Sequence, residues 1–576
     1  MKYSISLENP AQHLFKIRTE IESTGGITVI LELPRWRPGR YELAAYPPKI
    51  SDAAAFDFSG RAIPFTRINA HTWEVGPLPD GKGYFEHSFY AVEKNAGSSF
   101  LDDSLIYINP LNLLLFTKEK INEACELQIA IPDGYQTATS LKRKGNTFFA
   151  KDFHELADSP ILASKDLLHL KYSVNKIPFH LWFWGDVKLD EKKVIDQFTS
   201  FTQKQIDLFG GFPVDEYHFL FLILPNPFHH GVEHCASTVI VMGPGYNMND
   251  GLKYDDFLGI SSHELFHTWN VKSIRPFEMQ PYDYSKEIYS FQHYITEGVT
   301  TYYGDLILFR CGIWNTNEYL REFHDSNPGR HYVTAGDQNV SLRQASFESW
   351  INGYSEGVPN KKISFYSKGA MVAFMLDQHI LEESKNKYCL DHVMREMYKR
   401  FGTTGIGYTE NDFWKIVAQF SGSSTDSFYK KYVDGTEPLE EGMKKAAKRL
   451  GLSWELTPGM YQSTLGKFGF AWQSVAGKCI VTNVMPGSPA SKAGIAKDDE
   501  IIALAGRKVE NNLNEISNFI RENTETDIHF FNALKLKAGK ITPENNPKTP
   551  LFALKTLPSP NEKQKENFAI WEKGIA

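Results

Sequence analysis

The chain has 576 residues, 42% of them hydrophobic, enough for several cores, because a single core stops growing well short of this length. Its formal net charge of −7 leaves no basic excess to draw a phosphate backbone, so nucleic acid is excluded as an expected partner. The cysteines, Cys125, Cys235, Cys311, Cys389 and Cys479, are odd in number, scattered and free of any C-x-x-C pair, which excludes a disulfide framework and a cysteine-built zinc site.

The opening segment "MKYSISLENPAQHLFK" lacks the charged head and apolar run of a secretory signal, and no window reaches the roughly 20 apolar residues of a membrane span. A cytoplasmic location with no membrane partner is expected. Up to residue 170, short β-branched and aromatic runs such as "GITVILELP", "HTWEVGPL", "YFEHSFYAV" and "CELQIAIP" alternate with turn residues. They predict an antiparallel β domain over 1–170. From about 190 the period becomes helical: Val194, Ile195, Phe198, Phe201 and Ile206 share a face, Asp190 caps the start and Gly210-Gly211 stops the run. Helical patterns continue to about 450 and predict a mainly helical domain over 171–450. Then "GKCIVTNVMPGSPASKAGIAKDDEIIALAGRKV" returns to short strands and glycine turns, which predicts a small module with a C-terminal tail over 455–576. Near its end, "ITPENNPKTP" reads as a flexible loop. The class is multidomain α+β.

The chemistry centres on "SSHELFHTWN", residues 261–270. On a helix, residues i and i+4 share a face, so His263 and His267 can offer two imidazoles to one cation with Glu264 beside them. Asp255 or Asp256 is the expected cap, Phe257 and Ile260 continue the inward stripe, and Pro276 closes the segment. A catalytic zinc takes three protein ligands and keeps a position for water. A histidine six residues after the second would mark a metzincin, but position 273 is serine. The following amphipathic stretch "FQHYITEGVTTYYGDL" supplies Glu297 as the expected third ligand, with His293, one turn earlier, as its competitor. His229, His230 and His234 read as polar loop histidines.

These residues resemble the glycyl aminopeptidases among the gluzincin metallopeptidases, enzymes built from a β domain, a thermolysin-like domain and a PDZ domain. "HELFHTWNVKSIRP" is similar to that family's zinc-helix signature running into its W-N-V-K and I-R-P residues, and "TEGVTTYY" to its third-ligand signature. "LPRWRPGRY" and "DDSLIYINPLNLLL" also resemble family segments, so the likeness spans nearly the whole chain. At Gly304 relatives often carry a glutamate, leaving Asp305 as the substitute partner for a zinc histidine. "HGVEH", 230–234, resembles the G-x-M-E-N loop of the aminopeptidase N group, which implies Gly231 and Glu233 in substrate binding, with Glu233 on the free amine. "FYSKGA", 365–370, resembles that group's Y-x-K-G segment and implies Tyr366 as the oxyanion donor. "FGFAW", "GSPASKAGI" and "DDEIIALAGRKV" resemble a PDZ domain, with Asp498 where glycine is common; the implied ligand is a peptide C-terminus.

The resemblance therefore implies Zn²⁺ on His263, His267 and Glu297, Glu264 as general base, and peptides as substrates. The expected activity is hydrolysis of the first peptide bond, with preference for Gly or other small N-terminal residues. The rival readings are a gluzincin endopeptidase and a non-catalytic PDZ-containing scaffold.

Overall fold

The computed structural model describes the chain except residues 24–26, 249–250, 326–338, 353, 355–357, 359–360, 457–463, 545–551 and 575–576. Most of "ITPENNPKTP" thus lies outside the described residues. Two compact units emerge: Met1–Ser290 with Met394–Phe413, and Phe291–Val393 with Trp414–Ala576. Among the described residues no helix is long and apolar enough to cross a membrane.

The first unit begins with a seven-stranded sheet whose strands obey the two-residue period. In Leu14–Glu22, Phe15, Ile17, Thr19 and Ile21 are buried while Arg18, Glu20 and Glu22 face solvent. One pair departs from the expected antiparallel pattern: Lys2–Asn9 runs parallel to Cys125–Ile129, which the long intervening chain permits. Three- and four-stranded sheets complete this β region.

A mixed five-stranded sheet follows, in the order Leu168–Val174, Ile177–Trp184, Tyr217–Ile223, Ser237–Gly243, Phe228–Glu233. The helix Glu191–Phe209 is the crossover between two parallel strands, Ile177–Trp184 and Tyr217–Ile223. Asp190 caps it by accepting from the Lys193 amide at 3.0 Å, and Gly210 ends it in the left-handed region at φ 79°, as the sequence predicts. On the returning segment, Arg395 donates to the Leu208 carbonyl at 2.7 Å. Tyr217–Ile223 is buried throughout, which explains why its sequence is apolar apart from His218. "HGVEH", expected as a loop, instead lies mostly in the edge strand Phe228–Glu233, antiparallel to Ser237–Gly243.

The histidine helix spans Gly251–Phe266. It starts before Asp255 and Asp256, which therefore lie inside it and do not cap it; the buried stripe already begins at Tyr254, packed on Phe257 with ring centroids 5.9 Å apart.

In the second unit, a π-helical turn Tyr294–Val299 leads into the helix Thr300–Arg310, and the helix Ser367–Glu383 packs beside them. One buried polar cluster there is matched: Arg310 bonds both Asp391 oxygens at 2.9 and 2.8 Å, Tyr303 donates to Asp391 at 2.7 Å, and Tyr302 to Asp377 at 2.6 Å. Farther on, strand Leu452–Leu456 pairs with Phe552–Thr556, and between them sits the PDZ fold, with a five-strand path from Phe470–Val475 to Lys535–Ile541. Its core includes Phe468, Phe470, Val481, Ile501, Leu504 and Ile528. Asp498 adopts φ 71°, the conformation that makes glycine common at this turn. After the insert, helix Glu562–Lys573 buries Trp571, whose indole donates to Tyr302 at 2.9 Å.

Candidate active site

His263 and His267 lie at the C-terminal end of the histidine helix, four residues apart and on one face. Their Nε2 atoms are 3.0 Å apart, with the rings edge to face. The Nδ1 of His267 is 2.8 Å from the Asn270 carbonyl, which can only accept, so Nδ1 carries the proton and Nε2 presents its lone pair. Asn270, in the "HTWN" turn after the helix, thus orients the imidazole through its main chain. Sequence reasoning could not assign this role, because a backbone carbonyl leaves no residue signature. Asp305, in the second unit, stands near Glu322, and its carboxyl is pushed up to about 8 by burial and then by that carboxylate.

Glu264 and Glu233 meet the same histidine: one oxygen from each carboxylate and a His267 ring nitrogen lie within 4.8 Å of one another. All three side chains are buried, at 5%, 4% and 2% exposure. Two neighbouring glycines make this possible. A Cβ on Gly231 would collide with the Glu264 carboxylate, and one on Gly39 with that of Glu233. Glu233 ends the edge strand, whose continuation is pinned by Asp158: His234 Nδ1 lies 3.0 Å from it, the Cys235 amide donates at 2.8 Å, and the buried Lys272 ammonium at 2.9 Å. Burial works against the charged form of Asp158, but Lys272 and His234 together hold its carboxyl well below the usual range. Lys272 belongs to "WNVK"; nothing in the sequence marked Asp158 as its partner. His229 and His230 lie on the edge strand, and His230 is pushed down to about 3 by burial and then by Arg37 and Arg40.

In the second unit, Glu297 occupies the π-turn and is 2% exposed. Such turns widen the helix and recur at functional sites. His293 is fully buried against Phe365, ring centroids 5.5 Å apart, and burial pushes it down to about 4. Tyr366 immediately precedes the helix Ser367–Glu383, its ring stacked on Phe365 at 4.8 Å. The Glu297 turn and the Tyr366 helix meet backbone to backbone: a Cβ on Gly298 would lie 2.6 Å from the Gly369 Cα.

Comparison with known proteins gives this arrangement a family. The Peptidase M61 N-terminal domain matches residues 2–165, the M61 glycyl aminopeptidase domain residues 256–372, and a PDZ domain residues 480–530. The chain is an M61-type metallo-aminopeptidase.

Among solved structures, this M61 peptidase is similar to an aminopeptidase N family protein from Idiomarina loihiensis, at 25% identity and TM-score 0.90, covering 99% of each chain. An M1 zinc metallopeptidase from Deinococcus radiodurans, at 12% identity and TM-score 0.47 over 76% of this chain and 93% of that one, is too distant to bear on individual residues. No curated protein matches significantly. The matched M61 glycyl aminopeptidase segment runs from the histidine helix through Glu297 to Tyr366, so it contains the sequence-derived metal and catalytic residues; Gly231 and Glu233 lie upstream of it.

Proposed function

We propose that this peptidase is a zinc aminopeptidase that removes Gly or another small residue from the free N-terminus of peptides, with 1–170 as its β domain, 171–450 as its catalytic domain and 455–576 as its PDZ portion. The observation that carries the reading is the convergence of Glu233, Glu264 and His267, which puts an anchor for an ammonium beside a base and a metal-ligand nitrogen.

The histidine pair fits zinc. Two zinc–nitrogen bonds of about 2.0–2.1 Å at a tetrahedral angle place the nitrogens about 3.3 Å apart, close to the 3.0 Å between the Nε2 atoms. Glu297 is the proposed third ligand, supported by its place on the element after the pair. When bound, zinc polarises the scissile carbonyl and acidifies a water molecule. Glu264 accepts the proton from that water on its carboxylate and returns it to the leaving amine. Tyr366 donates its phenol to the developing oxyanion, a contact made mainly in the transition state. Glu233 pairs with the substrate ammonium and sets the cleavage register, with Gly231 leaving room on the edge strand. The PDZ domain is proposed to take a peptide C-terminus. The unpaired cysteines suit a reducing compartment, and the cytoplasm is the proposed location.

Zinc content and turnover on glycyl p-nitroanilide test the site. Glu264→Gln keeps zinc and loses turnover, whereas Glu297→Ala loses most of its zinc. Full zinc in the latter variant moves the third-ligand role to His293 or elsewhere.

A further inference from the structure

Arg37 is 5% exposed, yet its guanidinium meets no carboxylate of the described residues. It donates to the adjacent Pro38 carbonyl at 3.3 Å, and its Nη2 is buried without a hydrogen-bond partner. Among the described residues no acid lies within ion-pair distance of it. The other cations of the same cavity, which measures about 250 Å³, are matched: Arg40 with Glu42, and Lys49 with Glu93 at 2.7 Å. A buried, uncompensated guanidinium is costly to fold, and its planar fork is the side chain best shaped to receive a carboxylate.

The surroundings place this cation next to the amine anchor. "RPGR" forms a tight turn with Gly39 at φ 79°, the type II arrangement, and Gly39 lies against the Glu233 carboxylate. The Arg37 guanidinium lies against Gly97, where any Cβ would overlap it, and the neighbouring Ala96 amide donates to His230 at 3.3 Å. A peptide whose amine sits at Glu233 and which runs back along the edge strand passes Gly231, beside Glu264, and then reaches His230. Those three strand steps span about 10 Å, the length of a di- or tripeptide.

We infer that Arg37 receives the terminal carboxylate of the substrate, which makes di- and tripeptides with free C-termini the preferred substrate class. The inference rests on the reading of Glu233 as the amine anchor and extends it to the other end of the molecule. It is a positively charged pocket whose counter-ion arrives with the substrate. The field of Arg37 already acts on its neighbours, since it and Arg40 add to burial in keeping His230 neutral.

The test compares Gly-Ala and Gly-Ala-amide on the zinc-loaded parent, Arg37→Gln and Arg37→Lys. The parent should favour the free acid in kcat/KM by about 10- to 100-fold, the range of a charge-assisted contact. Arg37→Gln should bring that ratio near one, and Arg37→Lys, which keeps the charge without the fork, should fall between. A parent without preference overturns the inference whatever the variants do, and so does a ratio that survives in Arg37→Gln. Gly-Asp-amide, cleaved like the free acid by the parent alone, would assign Arg37 to a side-chain carboxylate and overturn the terminal assignment. Failure of the Glu233 reading is distinguishable: Glu233→Gln would then leave glycyl p-nitroanilide turnover intact, a substrate that has an amine and no carboxylate.

Discussion

Gly231 and Glu264 are in direct contact between the edge strand and the histidine helix, so closely that a β-carbon on Gly231 would occupy the space of the Glu264 carboxylate. The proposed base is therefore held against a strand that has no side chain there. Gly231→Ala should leave the fold intact, because the obstacle is the far end of a flexible side chain. It should lower kcat on the order of 10²-fold by displacing the base. Thermal unfolding and steady-state kinetics on one preparation check both halves.

The same device recurs between Gly298 and Gly369, which seat the Glu297 turn on the Tyr366 helix. Here the obstacle is backbone, so Gly369→Ala should cost about 1–3 kcal/mol of stability as well as activity. Tyr366→Phe should leave stability nearly unchanged and reduce kcat by roughly 10²–10³ with little change in KM. An unchanged kcat returns Tyr366 to a packing role.

The PDZ fold is bracketed by paired strands, Leu452–Leu456 and Phe552–Thr556, and the last helix carries Trp571 into the core of the second unit. Truncating the chain from 455 onward should therefore destabilise the helical part, and Trp571→Ala alone should cost about 3–5 kcal/mol. Replacing 464–544 with a short linker, which keeps both strands and Trp571, should preserve dipeptide hydrolysis. If the domain selects substrates, the excised protein should show a raised KM only for longer peptides ending in a free carboxylate.

Much of this was legible in the sequence for identifiable reasons. The helix Glu191–Phe209 has a cap, a stripe and a glycine stop that all agree, and it forms as read. The proposed metal pair, His263 and His267, rests on a four-residue spacing that helix geometry puts on one face. What escaped was non-local. Asn270 acts through a carbonyl, Asp158 meets Lys272 across 114 residues, and the return of Trp571 to Tyr302 crosses 269. "HGVEH" was expected as a loop from its likeness to the G-x-M-E-N loop; non-local pairing with Ser237–Gly243 makes most of it a strand. The early start of the histidine helix was hidden by two aspartates that resemble caps.

Acid should weaken the β region through His87, which is 1% exposed and pushed down to about 4 by burial. The unfolded chain binds this proton near 6.5 and the folded one only near 4, so stability is full above pH 6.5 and is lost as pH falls toward 4. The loss amounts to about 3 kcal/mol. His87→Gln should flatten that dependence in melting curves taken between pH 7 and 4.5, and an equally steep curve assigns the effect to other groups.

The exopeptidase reading depends on Glu233 gripping a free ammonium. Rates on Gly-Ala-Ala and its N-acetylated form, for the parent and Glu233→Gln, test it most directly. The account predicts that the parent cleaves only the free amine efficiently, and that Glu233→Gln loses about 10- to 100-fold in kcat/KM on that substrate while residual cleavage of the acetylated peptide stays level or rises. Comparable parent rates on both peptides, or an undiminished Glu233→Gln, would contradict it and establish an endopeptidase.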